Sequence, residues 1–207
     1  MEELEQINPY DQDYRDFWIK IEHLGRYLFV KDFIKSKQNA VKRLLDAAAG
    51  YGYGAEILAD VCHQVFALDN NPNIYNVLQN KFKNYKNIQP LHHDLENSRL
   101  TDLKIMFPLQ IIVSFETLEH LTNPEKVIAE FSDVLDDNGI LILSVPNENF
   151  ESLDEKGSPV SEFHKTVLPD EIIVNMLERN NFEVMEKYGQ SLLNRLMKRE
   201  NKLFRKK

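Results

Sequence analysis

Two carboxylates and an imidazole occur close together near the middle of the chain, as Glu116, Glu119 and His120. Residues i, i+3 and i+4 of an α-helix lie on one face, so a short helix near 116–121 would bring these side chains together. With His164, they would offer two carboxylates and two imidazoles to a divalent ion such as Mg²⁺ or Mn²⁺. Such an ion would bind a hydroxyl group and lower its pKa.

Two other interpretations of this group stay open. In a metal-free site, His120 would act as the general base with Glu119 as a second catalytic residue, and a glutamate here would contact a cofactor. Alternatively, the side chains would have a purely structural role. The residue types alone do not separate the three interpretations.

A second group of residues surrounds a glycine-rich segment that contains Gly50, Gly52 and Gly54. A strand that turns sharply into a helix needs residues that tolerate positive φ and let a ligand approach the backbone. Asp69 ends the next apolar run about 20 residues later, where a carboxylate can accept hydrogen bonds from both hydroxyls of a ribose. Asp46, before the glycines, disfavours a pyrophosphate and favours an amino group. The pattern therefore predicts a nucleoside ligand with a cationic tail.

Strand-like and helix-like segments alternate along the chain and would position these residues. The predicted helices are 13–36, 54–60, 72–82, a short one near 116–121, 124–135 and 169–180. The predicted strands are 43–47, 64–69, 88–92, 110–114, 140–145 and 182–188, with a turn at 136–139. Because several strands are continuously apolar, we expect a doubly wound, mainly parallel α/β sheet with helices on both faces. Ligands of such sheets bind beyond the carboxyl ends of the strands.

Taken together, these motifs resemble class I S-adenosylmethionine-dependent methyltransferases over roughly residues 20–190. The segment 46–52 is similar to their first motif, with Ala48 where many members have glycine. The segment 114–121 resembles a fourth-strand signature, and 137–147 resembles a fifth-strand turn. The resemblance implies a Rossmann-like domain that binds S-adenosylmethionine, with the helix 13–36 as an N-terminal lid.

The resemblance also implies which residues contact the cofactor. The implied set is Asp46, Ala48, Gly50, Gly52, Asp69, Asn70, Asp94, Leu95, Ser114 and, from the lid, Arg26. Asp69 would bind the ribose, and the segment containing Asp94 would receive the adenine. The Glu-x-x-Glu-His pattern is similar to that of ubiquinone-pathway O-methyltransferases and RNA 3′-end 2′-O-methyltransferases, which implies metal-assisted methylation of a hydroxyl.

Narrower likenesses indicate the acceptor. The segments 22–27, 163–164 and 188–190 resemble methyltransferases encoded with bacterial surface-polysaccharide genes, whose presumed acceptors are sugar hydroxyls. We therefore expect O-methylation of a sugar or nucleotide-sugar in glycan biosynthesis. The loop 147–165 would form the acceptor wall and deliver His164. RNA 2′-O-methylation, O-methylation of a small aromatic compound and a non-catalytic cofactor-binding scaffold remain as alternatives.

Composition narrows the class of protein. The 207 residues carry a net charge of −8, which argues against a large nucleic-acid footprint. No apolar run is long enough to span a membrane, and a single cysteine, Cys62, fits a reducing cytoplasm. We expect a cytoplasmic protein with one methyltransferase domain over 1–190.

The remaining residues, 191–207, form a basic C-terminal tail with a net charge of +6. Its leucines are spaced as in an amphipathic helix, so the strand that usually ends this family is expected to be missing or replaced. The basic residues could contact an anionic membrane face or an acidic partner. The oligomeric state is left open by the sequence.

Overall fold

The computed structural model describes residues 17–37, 40–147, 154, 160–161, 163–190 and 202–206. In these residues the helices are α1 (Phe17–Ser36), α2 (Tyr53–Ala59), α3 (Pro72–Phe82), α4 (Pro124–Val134) and α5 (Asp170–Arg179). The strands are β1 (Val41–Ala47), β2 (Cys62–Asp69), β3 (Ile88–His92), β4 (Leu109–Phe115), β5 (Leu135–Ser144), β6 (Phe182–Glu186) and β7 (Lys202–Lys206). Two 3₁₀ turns span Leu100–Asp102 and Leu118–His120. Within the described ranges, no helix combines the length and apolarity needed to cross a bilayer.

The chain divides into two compact units. The first unit comprises the residues up to 93 together with 188–200, and the second comprises 94–187 together with 201–207. Each unit brings its own strands and helices and is described separately.

Strands β1, β2 and β3 of the first unit run parallel in the order β3–β2–β1. Helix α2 connects β1 to β2 and α3 connects β2 to β3, since parallel neighbours need a crossover. Leu44 and Leu45 are both fully buried. Successive strand residues point to opposite faces, so β1 is covered on both sides.

The second unit has the strand order β4–β5–β7–β6. Strands β4 and β5 are parallel, while β7 pairs antiparallel with both β5 and β6. Ile111 and Ile112 are adjacent and both buried, so β4 is also covered on both faces. The alternation predicted from the sequence is therefore confirmed in each unit.

Two helices begin as the sequence predicts. The Asn71 side chain accepts hydrogen bonds from the Asn73 and Ile74 amides at the start of α3, whose first residue is Pro72. The Asn123 side chain accepts a hydrogen bond from the Lys126 amide at the start of α4. A capping side chain followed by proline satisfies amides that lack a helical partner, which fixes where each helix starts.

The predicted turn at 136–139 is wrong, because these residues lie inside a single strand, β5. Leu109 stands opposite Leu135, but Ile111 stands opposite Ile140, so residues 136–139 of β5 stand against Gln110 alone and the strand contains three extra residues as an irregularity. A Cβ on Gly139 would lie 2.8 Å from the Asp136 carbonyl oxygen. Glycine is therefore what the irregularity requires, and the same residue suggested a turn in the sequence.

The expectation that the last strand is missing or replaced is also wrong. Lys202–Lys206 forms β7, which hydrogen-bonds to β5 on one side and β6 on the other. Two neighbouring strands supply backbone partners for this short segment, and that context overrides its helix-like leucine spacing. The predicted helical residues 13–16 and most of the tail, 191–201, lie outside the described residues.

Candidate functional site

The first βα turn joins β1 to α2 through residues with unusual backbone angles. Ala48, Gly50 and Gly52 have φ values of 66°, 52° and 72°. A Cβ on Gly52 would lie 2.5 Å from Leu78 Cδ2 and 2.6 Å from the Phe82 ring. Gly52 thus combines a positive φ with close packing, while Ala48 adopts a conformation that favours glycine. The turn thus has the positive φ values that the sequence predicts for Gly50 and Gly52.

Asp46 lies buried at the end of β1 and is bonded by the N-terminal helix. The Tyr27 hydroxyl on α1 donates to Asp46 Oδ1 at 2.9 Å. Asp46 Oδ2 is buried without a hydrogen-bond partner among the described residues. Burial raises the pKa of Asp46 to about 7, although the bond from Tyr27 opposes the rise. A buried carboxylate oxygen of this kind fits the amino group of an amino-acid-like ligand.

Tyr27 is packed into the turn rather than exposed. Its ring meets the Tyr53 ring edge to face at 5.3 Å, and the Tyr53 hydroxyl bonds to His23 Nδ1 at 2.8 Å. A Cβ on Gly54 would lie 2.0 Å from Tyr27 Cε1. Tyr27 therefore attaches α1 to the turn. Arg26 is half-buried on the same helix, and its predicted contact with the cofactor stays a prediction.

Asp69 ends β2 and connects two loops of the first unit. Its Oδ2 accepts a hydrogen bond from the Gly50 amide at 3.0 Å, and its Oδ1 accepts one from the Asn71 amide at 2.9 Å. These bonds fix the carboxylate beside the glycine-rich turn. Its predicted contact with ribose stays a prediction. The exposed Asn70 accepts a hydrogen bond from His92 through its carbonyl at 2.9 Å.

In the second unit, Asp94 organises the segment after β3. Its Oδ1 accepts hydrogen bonds from the amides of Glu96 (2.8 Å) and Asn97 (3.2 Å), and its Oδ2 accepts one from the Asn97 side chain at 2.8 Å. Leu95 is buried. In the described structure Asp94 thus shapes a turn, and the predicted adenine contact is not tested.

Ser114 lies near the end of β4 and Glu116 directly follows the strand, but the two side chains have different surroundings. Ser114 is fully buried, and its hydroxyl has no hydrogen-bond partner among the described residues. Glu116 has a φ of 46°, and its carboxylate accepts a hydrogen bond from Ser144 Oγ at 2.6 Å. A glutamate at positive φ is strained, and such strain is concentrated at functional positions.

Glu119, His120 and His164 come together in the second unit. One ligand atom from each lies within 4.8 Å of the other two. The two imidazole rings are 5.1 Å apart between centroids, and His120 Nε2 lies 3.9 Å from Glu119 Oε1. One carboxylate and two imidazoles suit a divalent transition-metal ion. The structure therefore brings three of the four predicted residues together, and their binding of a metal ion stays a prediction.

Glu116 does not belong to the cluster, contrary to the predicted four-residue set. The predicted helix is replaced by a 3₁₀ turn that begins at Leu118, and the positive φ of Glu116 keeps it outside that turn. The i, i+3, i+4 argument therefore does not apply to Glu116. Its carboxylate is bonded to Ser144 at the end of β5 instead.

His120 is oriented by a backbone carbonyl. Its Nδ1 donates a hydrogen bond to the Phe163 carbonyl oxygen at 3.0 Å. This bond fixes the tautomer and leaves the Nε2 lone pair to bind a metal ion or accept a proton. Sequence reasoning missed this contact because 43 residues separate the partners and any residue type supplies a carbonyl.

Sequence reasoning also missed Glu96. Its carboxylate accepts hydrogen bonds from the Thr122 amide and from Lys165 Nζ, the latter at 2.9 Å. Glu96, which lies next to the predicted adenine segment, thus contacts residues close to both His120 and His164. A single glutamate two residues after Asp94 carries no motif, so no pattern could have indicated it.

Comparison with known proteins identifies the domain. The profile of the methyltransferase domain family matches residues 21–187. A probable S-adenosylmethionine-dependent methyltransferase of Mycolicibacterium smegmatis is 28% identical over 150 residues, which is 72% of this chain and 55% of that protein. One of Mycobacterium tuberculosis is 25% identical over 167 residues, which is 81% of this chain and 56% of that protein. The chain thus spans about half the length of these relatives.

Solved structures agree on the fold. Magnesium protoporphyrin IX methyltransferase of Synechocystis, with bound S-adenosylmethionine, has a TM-score of 0.67 at 16% identity. The match covers 97% of this chain and 88% of that protein chain. An N-methyltransferase of Bradyrhizobium japonicum, in complex with S-adenosyl-L-homocysteine, has a TM-score of 0.66 at 18% identity. The match covers 96% of this chain and 94% of that protein chain. The protein has the Rossmann-like fold of class I methyltransferases.

Proposed function

Because the chain belongs to the methyltransferase domain family, we propose that the protein transfers the methyl group of S-adenosylmethionine to a hydroxyl of a sugar or nucleotide-sugar. The observation that supports a hydroxyl as the methyl acceptor is the convergence of Glu119, His120 and His164. A hydroxyl is a poor nucleophile unless its proton is removed or its pKa is lowered, and this cluster has the groups for either.

The glycine-rich turn of the first unit supports the cofactor assignment. Gly50 and Gly52 both have a positive φ, and the Gly50 amide donates to the Asp69 carboxylate beside the turn. The buried Oδ2 of Asp46 fits the ammonium group of the methionine moiety. These features match the nucleoside with a cationic tail that the sequence predicts.

The reaction needs the acceptor oxygen, the methyl carbon and the sulfur in line. The oxygen forms a bond to the methyl carbon while the carbon–sulfur bond breaks, and its electron pair stays on sulfur to give S-adenosylhomocysteine. In a site without a metal ion, His120 Nε2 takes the proton of the acceptor hydroxyl, since its Nδ1 already donates to the Phe163 carbonyl. A positioned base of this kind contributes about 10²–10⁴-fold.

A divalent cation is the second part of the proposal. Glu119, His120 and His164 would hold it, and the bonding of His120 to a carbonyl resembles the way metal-binding histidines are oriented. When bound, such an ion lowers the pKa of a coordinated hydroxyl. If no ion is needed, the same orientation of His120 favours the metal-free general base.

Three features support a sugar as the acceptor. The segments 22–27 and 188–190, which resemble sugar methyltransferases, are in contact, because the Gln190 side chain donates to the Glu22 carbonyl at 2.8 Å. Phe163 is 46% exposed beside His164, and an exposed ring can pack against the apolar face of a sugar. The net charge of −8 disfavours RNA.

The test is transfer of labelled methyl groups from S-adenosylmethionine to nucleotide-sugars, catechols and small RNAs, each with Mn²⁺ and with EDTA. We expect label on a sugar, lost with EDTA. His120→Ala and His164→Ala should reduce transfer by at least about 100-fold, while the matched control His63→Ala, at an exposed position of β2, should not.

Other outcomes would change the proposal. Transfer that survives EDTA would remove the metal ion and keep His120 as the base. Label on RNA or a catechol would replace the sugar by that acceptor. Cofactor binding without transfer to any acceptor would favour a non-catalytic scaffold.

A further inference from the structure

Glu96 contacts the residues that follow each cluster histidine. Its carboxylate accepts a hydrogen bond from the amide of Thr122, two residues after His120. It also accepts one from Nζ of Lys165, the residue after His164, at 2.9 Å. One side chain thus joins two segments that are more than 40 residues apart in the chain.

The same two segments are joined by backbone hydrogen bonds. The Glu119 carbonyl accepts the Lys165 amide at 2.8 Å and the Thr166 amide at 3.2 Å. The Thr166 hydroxyl donates to the Leu121 carbonyl at 2.9 Å. The distance between the two imidazoles therefore depends on how firmly the 163–166 segment is attached to the 118–122 turn.

The position of Glu96 is itself fixed from two directions. Its amide donates to Asp94 Oδ1 at 2.8 Å, and its carbonyl accepts Lys126 Nζ from α4 at 2.6 Å. Partial burial opposes its ionisation, but hydrogen bonds from Lys165 and Thr122 hold the pKa of Glu96 below its usual value. Glu96 is therefore an anion held in place by several contacts, whereas a carboxylate in a single exposed ion pair would be held only weakly.

We propose that Glu96 is a positioning residue that sets the spacing of His120 and His164 by attaching the segments next to them to the turn after β3. What the histidines do rests on the proposed function, but their spacing does not. The role belongs to the negative charge of Glu96 and its bond with Lys165, since the Asp94 turn uses only the backbone of Glu96.

The test compares four variants of the full chain. Glu96→Gln keeps the size of the side chain but removes its charge, and Lys165→Met removes the partner. Lys165→Arg keeps a positive charge that can form the ion pair with Glu96. Glu125→Gln is the matched control, since Glu125 forms an equivalent surface pair with Arg179 at 3.2 Å in the same unit.

Two readouts report on spacing without requiring methyl transfer. Hydrogen exchange of the Thr166 amide reports its bond to the Glu119 carbonyl, and electron paramagnetic resonance of Mn²⁺ reports the cluster itself. We expect about tenfold faster exchange and about tenfold weaker Mn²⁺ binding in Glu96→Gln and Lys165→Met. Lys165→Arg and Glu125→Gln should match the parent, and S-adenosylmethionine affinity should stay within about twofold in all variants.

Unchanged exchange in Glu96→Gln, or equal effects of Lys165→Met and Lys165→Arg, would overturn the proposal. If Glu96→Gln fails to fold, the two Lys165 variants decide. If the parent protein binds no Mn²⁺, the metal part of the proposed function is wrong, and amide exchange alone decides the role of Glu96.

Discussion

The candidate residues of the two units are held in place in different ways. In the first unit, the Asp69 carboxylate is bonded by the amides of Gly50 and Asn71, at most 19 residues away. In the second, Glu96 is bonded by a lysine side chain 69 residues away. Backbone amides next to a tight turn fix a carboxylate by local geometry, whereas a long-range ion pair depends on two separate segments being folded. We therefore expect backbone changes to have the largest effects in the first unit, and side-chain changes to dominate in the second.

The largest effect is expected from Gly52→Ala. An alanine there would combine a positive φ with a Cβ 2.5 Å from Leu78 Cδ2, which should lower the free energy of unfolding by about 4 kcal/mol. Gly25→Ala is the control, because its Cβ would meet only the end of the Gln190 side chain at 3.1 Å. Denaturant unfolding measures both. A small loss for Gly52→Ala would contradict the backbone-based account of the first unit.

A smaller effect is expected from the buried Asp46. Its pKa in the folded protein is raised to about 7, so the folded state binds the proton more tightly than the unfolded state. Stability should therefore fall as pH rises from about 4 to 7, by at most about 1.4 kcal/mol per pH unit, and then level off. Asp46→Asn should lack this fall, as unfolding at several pH values would reveal. Parallel pH profiles of the two proteins would rule out a raised pKa.

In the second unit, Ser144→Ala should cost about 1–2 kcal/mol, because it removes the hydroxyl that donates to Glu116 at 2.6 Å. Ser161→Ala, at a half-buried position where the hydroxyl accepts the Phe163 amide at 3.3 Å, is the control. Thermal unfolding of both variants measures the difference. Equal melting temperatures would mean that the strained Glu116 is held by its backbone alone.

The smallest effect is a gain in stability. Ala48→Gly should raise the free energy of unfolding by about 1 kcal/mol, since Ala48 has a φ of 66°. Ala47→Gly, one residue earlier in β1, should lower it by a similar amount, because a strand position gains nothing from glycine. Chemical denaturation compares the two. A loss in both would show that the turn tolerates alanine without strain.

The same contrast explains what could be predicted from the sequence. The glycine-rich turn, Asp69 and the starts of α3 and α4 were predictable, because residues close in sequence determine each of them. The cluster of Glu119, His120 and His164 was predictable from residue types, but its scaffold was not. Glu116 was wrongly included, because the sequence does not reveal that its backbone leaves the helical region.

Long-range pairing limited the rest. The irregular residues 136–139 of β5 look like a turn until the register with β4 is known, and they form part of a strand. The contacts of Glu96 and of the Phe163 carbonyl follow from folding alone, since neither carries a recognisable motif. Local patterns thus predicted the glycine-rich turn better than the geometry around the histidines.

The position of β7 has a consequence for how the second unit assembles during synthesis. Strands β5 and β6 end at residues 144 and 186, but neither pairs with the other, because β7 at 202–206 lies between them. Until those residues leave the ribosome, both strands have an unpaired edge of backbone amides and carbonyls. A ribosome that pauses before residue 202 would therefore expose an aggregation-prone intermediate, and chaperones would be needed most at that stage.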